Sequence, residues 1–175
     1  MKKLLPVLMP VLLAACASEA GSKFADNPEQ YGLYVAATNI YMDTPIAVKN
    51  ADTGAVLALN VRHLGGDTGY VVESLPPGRY VFLSYTPDAT TSVPLTTPNG
   101  YFDVQANCFN YGGQYDFGVD ANGAPTYTDT VTLKDIERLP HSIRDYARDR
   151  DICSAGMGAP NERLAAADVK GQLDL

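Results

Sequence analysis

The stretch that most constrains this chain is residues 70–86, because it joins a tight turn to a dense run of strand-forming residues. Pro77, preceded by Pro76, presets the backbone angle that a turn needs at its second residue, and Gly78 accepts the positive angle of the third. Residues 76–79 therefore predict a type II turn. Residues 79–85 are rich in aromatic and β-branched side chains and lack glycine and proline, which favours a strand. We therefore expect a mainly β protein.

Other segments with strand composition recur along the chain. They are residues 33–39, 46–50, 55–61, 70–75, 101–105, 108–111, 114–119 and 126–133. Two of the links between them, 51–54 and 120–123, contain aspartate and end in glycine, which indicates hairpins. Gly112 and Gly113 predict a bulge or sharp bend. Short strands at this spacing predict one antiparallel β-sandwich domain over residues 31–133.

The pattern changes after position 133. Residues 141–152 place Ile143, Tyr146 and Ala147 at helical spacing among charged side chains, which indicates a short amphipathic helix. Residues 161–167 predict a second short helix, and residues 171–175 a frayed end. We therefore expect residues 134–175 to form a helical extension that packs on the sandwich.

The first residues have the layout of a secretory signal. Lys2 and Lys3 precede an apolar run over residues 4–13, and this run is too short to span a bilayer as a helix. The element Leu-Ala-Ala-Cys at 13–16 resembles the lipobox of bacterial lipoproteins. The resemblance implies that residues 1–15 are removed and that Cys16 carries acyl chains. The alternative is an ordinary cleavage site after Ala15, with Cys16 beside it by chance.

Acylation at Cys16 would anchor the protein, since several acyl chains exceed the two signals needed for stable membrane attachment. Residues 16–30 are small and polar and predict a flexible tether. Ala17 follows the cysteine where an aspartate would retain the protein in the inner membrane under the enteric sorting rule. The resemblance therefore implies an outer-membrane lipoprotein, facing the periplasm rather than the cell surface.

The charge of the mature chain limits its partners. Removal of residues 1–15 takes away two lysines and no acid, which leaves 11 basic and 20 acidic side chains and a net charge of −9. A domain this acidic is not expected to bind nucleic acid. Anionic membrane surfaces would also repel it, so the lipid has to hold the protein at the membrane.

Cys108 and Cys153 remain once Cys16 is assigned to lipid. An even number of cysteines in an oxidising compartment predicts a disulfide between them. Closing a loop of this length is worth about 4 kcal/mol in the chain-entropy model. The alternative is two separate buried thiols.

Part of the chain resembles a group of poorly characterised bacterial envelope lipoproteins with a prealbumin-like or carboxypeptidase-regulatory-like (Ig-like) β-sandwich. The resemblance rests on Leu-Pro-Pro-Gly-Arg-Tyr at 75–80, Tyr-Phe-Asp-Val-Gln-Ala at 101–106 and Tyr-Gly-Gly at 111–113, and it covers roughly residues 46–119. It implies a fold and a non-catalytic role. It supplies no active site.

The residues themselves predict no metal, cofactor or catalytic centre. Neither His63 nor His141 has a cysteine or a second histidine nearby in the sequence at the spacing of metal ligands. Residues 118–129 imitate a calcium loop, but Gly118 occupies the first ligand position, so a hairpin turn is the better interpretation. Asp116 and Asp120 would suit the carboxylate pair of a glycosidase, but solvated acids on a strand face are far commoner and are the better interpretation.

Three functional hypotheses follow. The first is a non-catalytic binding or scaffolding module whose partner is an envelope protein or cell-wall component. The charged helix at 141–152 is a solvated face or a docking face for such a partner. The second is a glycan or small-ligand binding module that uses strand tyrosines and the threonine-rich loop at 90–97. The third, a hydrolase, has the least support.

Overall fold

A computed structural model gives the fold and describes residues 21–40, 43–64, 66–87, 90–95, 100–119, 121, 125–130, 132–156, 162–173 and 175. The predicted signal segment and Cys16 lie outside the described residues. The chain is mainly β, as the sequence predicts. The strands are β1 (Gly32–Thr38), β2 (Pro45–Asn50), β3 (Val56–His63), β4 (Gly69–Leu75), β5 (Gly78–Tyr85), β6 (Val93–Pro94), β7 (Tyr101–Val104), β8 (Cys108–Val119), β9 (Pro125–Thr130), β10 (Asp151–Ser154) and β11 (Arg163–Leu164). The helices are α1 (Ser22–Asp26), a 3-10 helix (Leu133–Arg138), α2 (His141–Ala147) and α3 (Ala166–Gln172).

The strands form one mixed sheet that divides into two halves. The order is β11-β10-β8-β1-β4-β3-β2-β5-β6, with β9 also paired to β8 and β7 to β5. We call β4, β1, β8 and β10 the covered half, and β2, β5 and β7 the open half. Strand β3 belongs to both halves, because its first part pairs with β2 and its last part with β4.

Both halves contribute aromatic side chains to one hydrophobic cluster. Tyr34 of β1 stacks on Phe102 of β7 with ring centroids 4.2 Å apart, and Phe82 of β5 meets Tyr115 of β8 edge-on at 5.2 Å. Each such pair adds about 0.5–1.5 kcal/mol beyond the burial of its area. Side chains from both halves of the sheet therefore share one core.

A second cluster lies on the other face of the covered half. There Leu33, Val35 and Phe109 pack under the helices, and every residue of β1 is buried as a result. The side chains that the helices and the residues directly after them contribute to this cluster are Phe24, Ile136, Leu139, Ile143, Ala147, Val169 and Leu173. By contrast, the open half and the part of β3 that pairs with it have exposed residues, among them Lys49, Val56 and Arg79.

The expectation of a purely antiparallel sheet is wrong, because β8 runs parallel to both β1 and β10. The cause lies at the start of β8. The backbone N–H of Asn107 donates to the carbonyls of Pro28 and Tyr31, at 2.8 and 3.0 Å, just before β1 begins. Strands β1 and β8 therefore start at the same end of the sheet and run in the same direction.

The predicted bulge lies at Gly112 and Gly113. Along β1 and β8, Val35 pairs with Tyr111 but Ala37 pairs with Gln114, so β8 has one extra residue. Gly113 has φ of 82°, which favours glycine, and a Cβ on Gly112 would lie 2.6 Å from the Tyr34 hydroxyl. The bulge thus lets β8 pass the buried Tyr34 ring.

The turn at 76–79 does not close a hairpin, because β4 and β5 do not pair with each other. It carries the chain from the covered half to the open half. Gly78 has a positive φ, but its value of 146° lies far from the roughly 80° of the predicted type II turn, and a Cβ there would lie 2.9 Å from the Asn50 amide nitrogen. Its place between the halves also makes this turn part of the main cleft described below.

The two ends of the domain differ from the sequence-based boundaries. Within the predicted tether, residues 22–26 form α1, and Phe24 is fully buried under the guanidinium of Arg150, 4.6 Å from its ring centroid. In the extension, α2 ends at Ala147, so the expected helix to 152 is interrupted by β10, which joins the sheet. Helix α3 begins at Ala166, and Leu173 after it is buried where a frayed end was expected.

Candidate functional site

The main cleft opens where β3 changes partners. Residues 56–60 of β3 pair with β2, whereas only residues 61–63 pair with β4. Strand β4 continues alongside β1 to Leu75, so β3 and β4 diverge below position 61. A cleft of about 410 Å³ occupies the space between them. We call it the fork cleft.

One wall of the fork cleft is the free backbone edge of β3. The N–H of Val61 donates to the carbonyl of Thr44, 3.3 Å away on the β2 side. Backbone groups alternate in direction along an antiparallel strand, so the N–H of Asn60 points the other way, toward β4. It donates there to the carboxylate Oε1 of Glu73 at 3.3 Å, and its side-chain amide donates to the same oxygen at 3.1 Å. A side chain thus occupies a position that a neighbouring strand would fill.

The same alternation turns the backbone N–H and C=O of Val56 and Ala58 toward the fork cleft. Among the described strands, none pairs with this side of residues 56–60. Ala58 is exposed. Unpaired strand edges of this kind readily accept another extended chain.

The walls of the fork cleft are mostly apolar and carry a few polar groups, which is the usual make-up of a binding site. The apolar and aromatic lining comes from Tyr31, Ala55, Leu57, Ala58, Leu75, Pro76, Pro77 and Tyr80. The polar lining comes from Lys23, Asn50, Thr53, Glu73 and Ser74. Pro76 and Pro77, identified from sequence as turn residues, are therefore also part of this wall.

Buried polar groups fix the base of the fork cleft. Tyr80 is fully buried, and its hydroxyl donates to the carbonyl of Pro76 at 2.7 Å. Burial raises the pKa of Tyr80, so the hydroxyl keeps its proton near neutral pH. The Asn50 side-chain carbonyl accepts the N–H groups of Asp52 and Thr53, at 3.0 and 2.8 Å. These hydrogen bonds thus fix the two turns beside the cleft, at residues 51–54 and 76–79.

A second cleft, of about 400 Å³, lies between the covered half and the 3-10 helix. Its lining is more polar and consists of Ala37, Thr68, Tyr70, Tyr111, Gln114, Asp135, Arg138 and Leu139. The Arg138 guanidinium donates to Asp135 at 3.1 Å, and its side chain is 85% exposed. We call this site the Arg138 cleft. It offers tyrosine faces and an accessible cation.

A shallow depression beside Gly78 contains Arg79, whose guanidinium is bonded to a neighbouring carboxylate. Arg79 makes two parallel bonds to Asp103, at 2.9 and 3.1 Å, and its guanidinium lies 4.0 Å from the Tyr101 ring centroid. The hydrogen bonds that Arg79 donates to the Asp103 carboxylate raise the pKa of Arg79 above its ordinary value. Paired in this way, Arg79 and Asp103 tie β5 to β7.

The predicted cysteine pair is present as a disulfide. Cys108 and Cys153 are bonded with their Cα atoms 6.0 Å apart, and both are fully buried. They lie on the neighbouring strands β8 and β10. The disulfide therefore fastens the C-terminal part of the chain to the covered half, by a strand and not by a helix.

The other residues singled out from the sequence do not converge on either cleft. His141 lies 3.5 Å from Asp145 on α2, and Arg148 lies 3.1 Å from the same carboxylate. Asp116 accepts from the Gln114 amide at 3.1 Å on an exposed strand face. Asp120, residues 122–124 of the calcium-like loop and positions 96–97 of the threonine-rich loop lie outside the described residues.

His63 lies at the end of β3, and its Nε2 atom is buried without a hydrogen-bond partner. Within the described part of the chain, no three or more histidine, cysteine or acidic side chains are grouped as metal ligands. The helices of that part are all too short or too polar to cross a membrane.

No pattern in the sequence predicted the fork cleft, but the lengths of the paired strands account for it. The run that became β3 extends to His63, eight residues in all, whereas β2 has only six. The last residues of the longer strand therefore needed another partner. Because β3 pairs with β4 only over its last residues, the two strands separate before them, and the fork cleft lies in that gap.

Compared with known proteins, the chain matches no protein-family model, no curated protein and no solved structure. No relative therefore supplies a function that could be transferred. The lipobox-like element at 13–16 and the two clefts are the features from which function has to be inferred.

Proposed function

We propose that this protein is a lipoprotein of the bacterial envelope that binds another envelope component without catalysing a reaction. Acyl chains on Cys16 would anchor it in the outer membrane, with the domain on the periplasmic side. The support for the anchor is the lipobox at 13–16 after a short, basic-then-apolar leader. The support for binding is the fork cleft.

The length of the tether adds to this proposal. Since Gly21 is already buried and Phe24 of α1 packs in the domain, only residues 17–20 separate Cys16 from packed structure, and five Cα-to-Cα steps lead from Cys16 to Gly21. Five extended residues span at most about 18 Å. The domain would therefore stay close to the membrane and act on partners at its surface.

The observation that carries the binding role is the combination of a free strand edge with an apolar lining at one place. Leu57 and Tyr80 belong to or pack against the central cluster, so the fork cleft reaches the edge of the core. Preformed, mostly apolar clefts of several hundred Å³ are the usual ligand-binding sites of proteins.

The anchor is tested by metabolic labelling with an alkyne fatty acid. We expect wild-type protein to incorporate the label and to fractionate with the outer membrane, while Cys16→Ala incorporates none. Wild-type protein that stays unlabelled and begins at an unmodified residue would contradict the anchor.

The binding role is tested by a photo-crosslinking amino acid introduced at Thr53, an exposed position on the rim of the fork cleft. The matched control carries the same amino acid at Asp168, an exposed position on α3. We expect one discrete crosslinked species from Thr53 in intact cells and none from Asp168. Repeated absence of a product at Thr53 would contradict the binding role.

We also infer that the two halves of the sheet form a sandwich, of the prealbumin-like kind that the resemblance implies. The ring contacts between β1 and β7 and between β5 and β8 support it. The parallel neighbours of β8 are a departure from an all-antiparallel sandwich. An experimental structure in which the two halves do not face each other would remove this inference.

The second candidate function is glycan or small-ligand binding at the Arg138 cleft. Tyr70 and Gln114 line this cleft beside Arg138, and rings with amide and guanidinium donors suit a sugar or a carboxylate. A thermal-shift panel of soluble cell-wall sugars tests it. Stabilisation that disappears in Arg138→Ala would favour this candidate over the fork cleft. A hydrolase remains the least supported hypothesis.

A further inference from the structure

We infer that the fork cleft takes an extended peptide segment of a partner protein, which adds as a strand to the free edge of β3. This inference names the ligand class of the binding function proposed above and rests on it. It starts from the backbone, because the groups that the edge leaves unpaired determine what can pair with them.

The free edge presents the pattern that an added strand recognises. Val56 and Ala58 both direct an N–H and a C=O away from β2, Ala58 lines the fork cleft, and the N–H of Asn60 on the same edge donates to Glu73. Five strand residues cover about 17 Å. An extended segment of four or five residues could therefore pair with positions 56–60, and main-chain hydrogen bonds would supply its affinity.

The lining determines which side chains such a segment carries. Leu57, Leu75 and Tyr80 face the same space from three strands, so residues of the segment that point inward meet an apolar surface. Side chains of a strand alternate between its faces. We therefore expect apolar residues at every second position of the segment and no requirement for charge at the positions between them.

Charge excludes one class of segment. The mature chain has a net charge of −9, and the charged side chains that line the fork cleft are Lys23 and Glu73, which balance each other. An acidic segment would be repelled by the domain without gaining a specific partner in the cleft. The expected ligand is a neutral or basic extended peptide.

The test is selection from a phage-displayed library of random 12-residue peptides on the full-length acylated protein in detergent micelles. Enriched peptides are synthesised with a fluorophore, and their Kd is measured by fluorescence anisotropy. The decisive variant is Ala58→Pro, which removes one N–H from the free edge and none from the ladder with β2. Its matched control is Ala58→Ser, which keeps that N–H.

We expect enriched peptides to have apolar residues at alternate positions and no net negative charge. Ala58→Pro should weaken their binding at least tenfold, because it removes a main-chain donor and inserts a ring at the edge. Ala58→Ser, which keeps the N–H, should bind these peptides at least fivefold more tightly than Ala58→Pro does. Failure to enrich any peptide, or equal binding by Ala58→Pro, would overturn the inference.

Peptides with single N-methylated residues keep the test decisive if Ala58→Pro fails to fold. Methylation should abolish binding at every second residue of the peptide and have little effect at the residues between. Equal effects at all positions would rule out strand addition. If Thr53 crosslinks a partner in cells while these peptide results are negative, the binding function stands and only the strand-addition mode is lost.

Discussion

The two halves of the sheet differ in how many of their faces are packed. Every residue of β1 in the covered half is buried, because the aromatic cluster lies on one face and the helices lie on the other. In the open half, β2 alternates between exposed or half-exposed and buried residues. Strand β3 pairs with both halves, and the fork cleft lies where they separate.

This difference suggests how stability and binding are divided in the molecule. The covered half holds the disulfide, the four helical segments and both termini of the described chain. The open half and the fork between the halves offer free backbone and partly accessible apolar side chains. We therefore expect substitutions in the covered half to act on folding, and substitutions at the fork to act on binding.

The largest effect is expected from removing the disulfide of the covered half. The double variant Cys108→Ala/Cys153→Ala should lose about 4 kcal/mol of unfolding free energy, because the bond closes a long loop. Urea unfolding of the oxidised wild type and of the variant measures it. A loss below about 1 kcal/mol would mean that β10 is held by its sheet neighbours alone.

A matched pair of substitutions compares the outer faces of the two halves directly. Val35 is fully buried under the helices, whereas Val56 at the start of β3 is 61% exposed. Val35→Thr should cost about 1–3 kcal/mol because it buries a hydroxyl, whereas Val56→Thr should change stability by less than about 0.5 kcal/mol. Equal costs in urea unfolding would show that both faces are covered, and the comparison would fail.

A smaller effect is expected at Asp151, which ties β11 and α3 to β10. Its carboxylate accepts the N–H of Ala166 at 2.9 Å and the guanidinium of Arg163 at 2.7 Å. The Ala166 N–H, and then Arg163, lower the pKa of Asp151. Asp151→Ala should cost about 1 kcal/mol at neutral pH, since the site is partly exposed.

The pH dependence of this effect has a definite sign. A carboxyl whose pKa is lowered by folding contributes stability above its unfolded pKa, about 3.9, and this contribution disappears as the pH falls through the lower folded value. The difference between wild type and Asp151→Ala should therefore shrink in acid. A difference that is the same in acid and at neutral pH would contradict the ionic origin.

Features that depend on neighbouring residues were predictable from the sequence. The link around Asp52 and Gly54 gives the antiparallel pair β2 and β3, and Gly112 with Gly113 gives the bulge in β8. Each depends on backbone angles that glycine alone adopts easily. The mainly β composition followed from the same local reasoning.

Features that depend on distant contacts were not predictable in this way. The parallel direction of β8 is set by bonds from Asn107 to Pro28 and Tyr31, almost 80 residues away. Phe24 is the one large apolar residue in a polar stretch, so no periodicity revealed that α1 packs on the domain. The fork cleft likewise arises because β3 and β4 separate. The sequence predicts each strand, but it does not predict where the two strands stop pairing.

The most direct test of the binding role is amide hydrogen exchange of the full-length protein in native outer membranes and in detergent after purification. If a partner strand occupies the fork cleft, the amides of Val56 and Ala58 should exchange at least tenfold more slowly in membranes. Amides of β1, buried in both states, should not change. Equal exchange at Val56 and Ala58 in the two preparations would contradict the proposed role of the cleft.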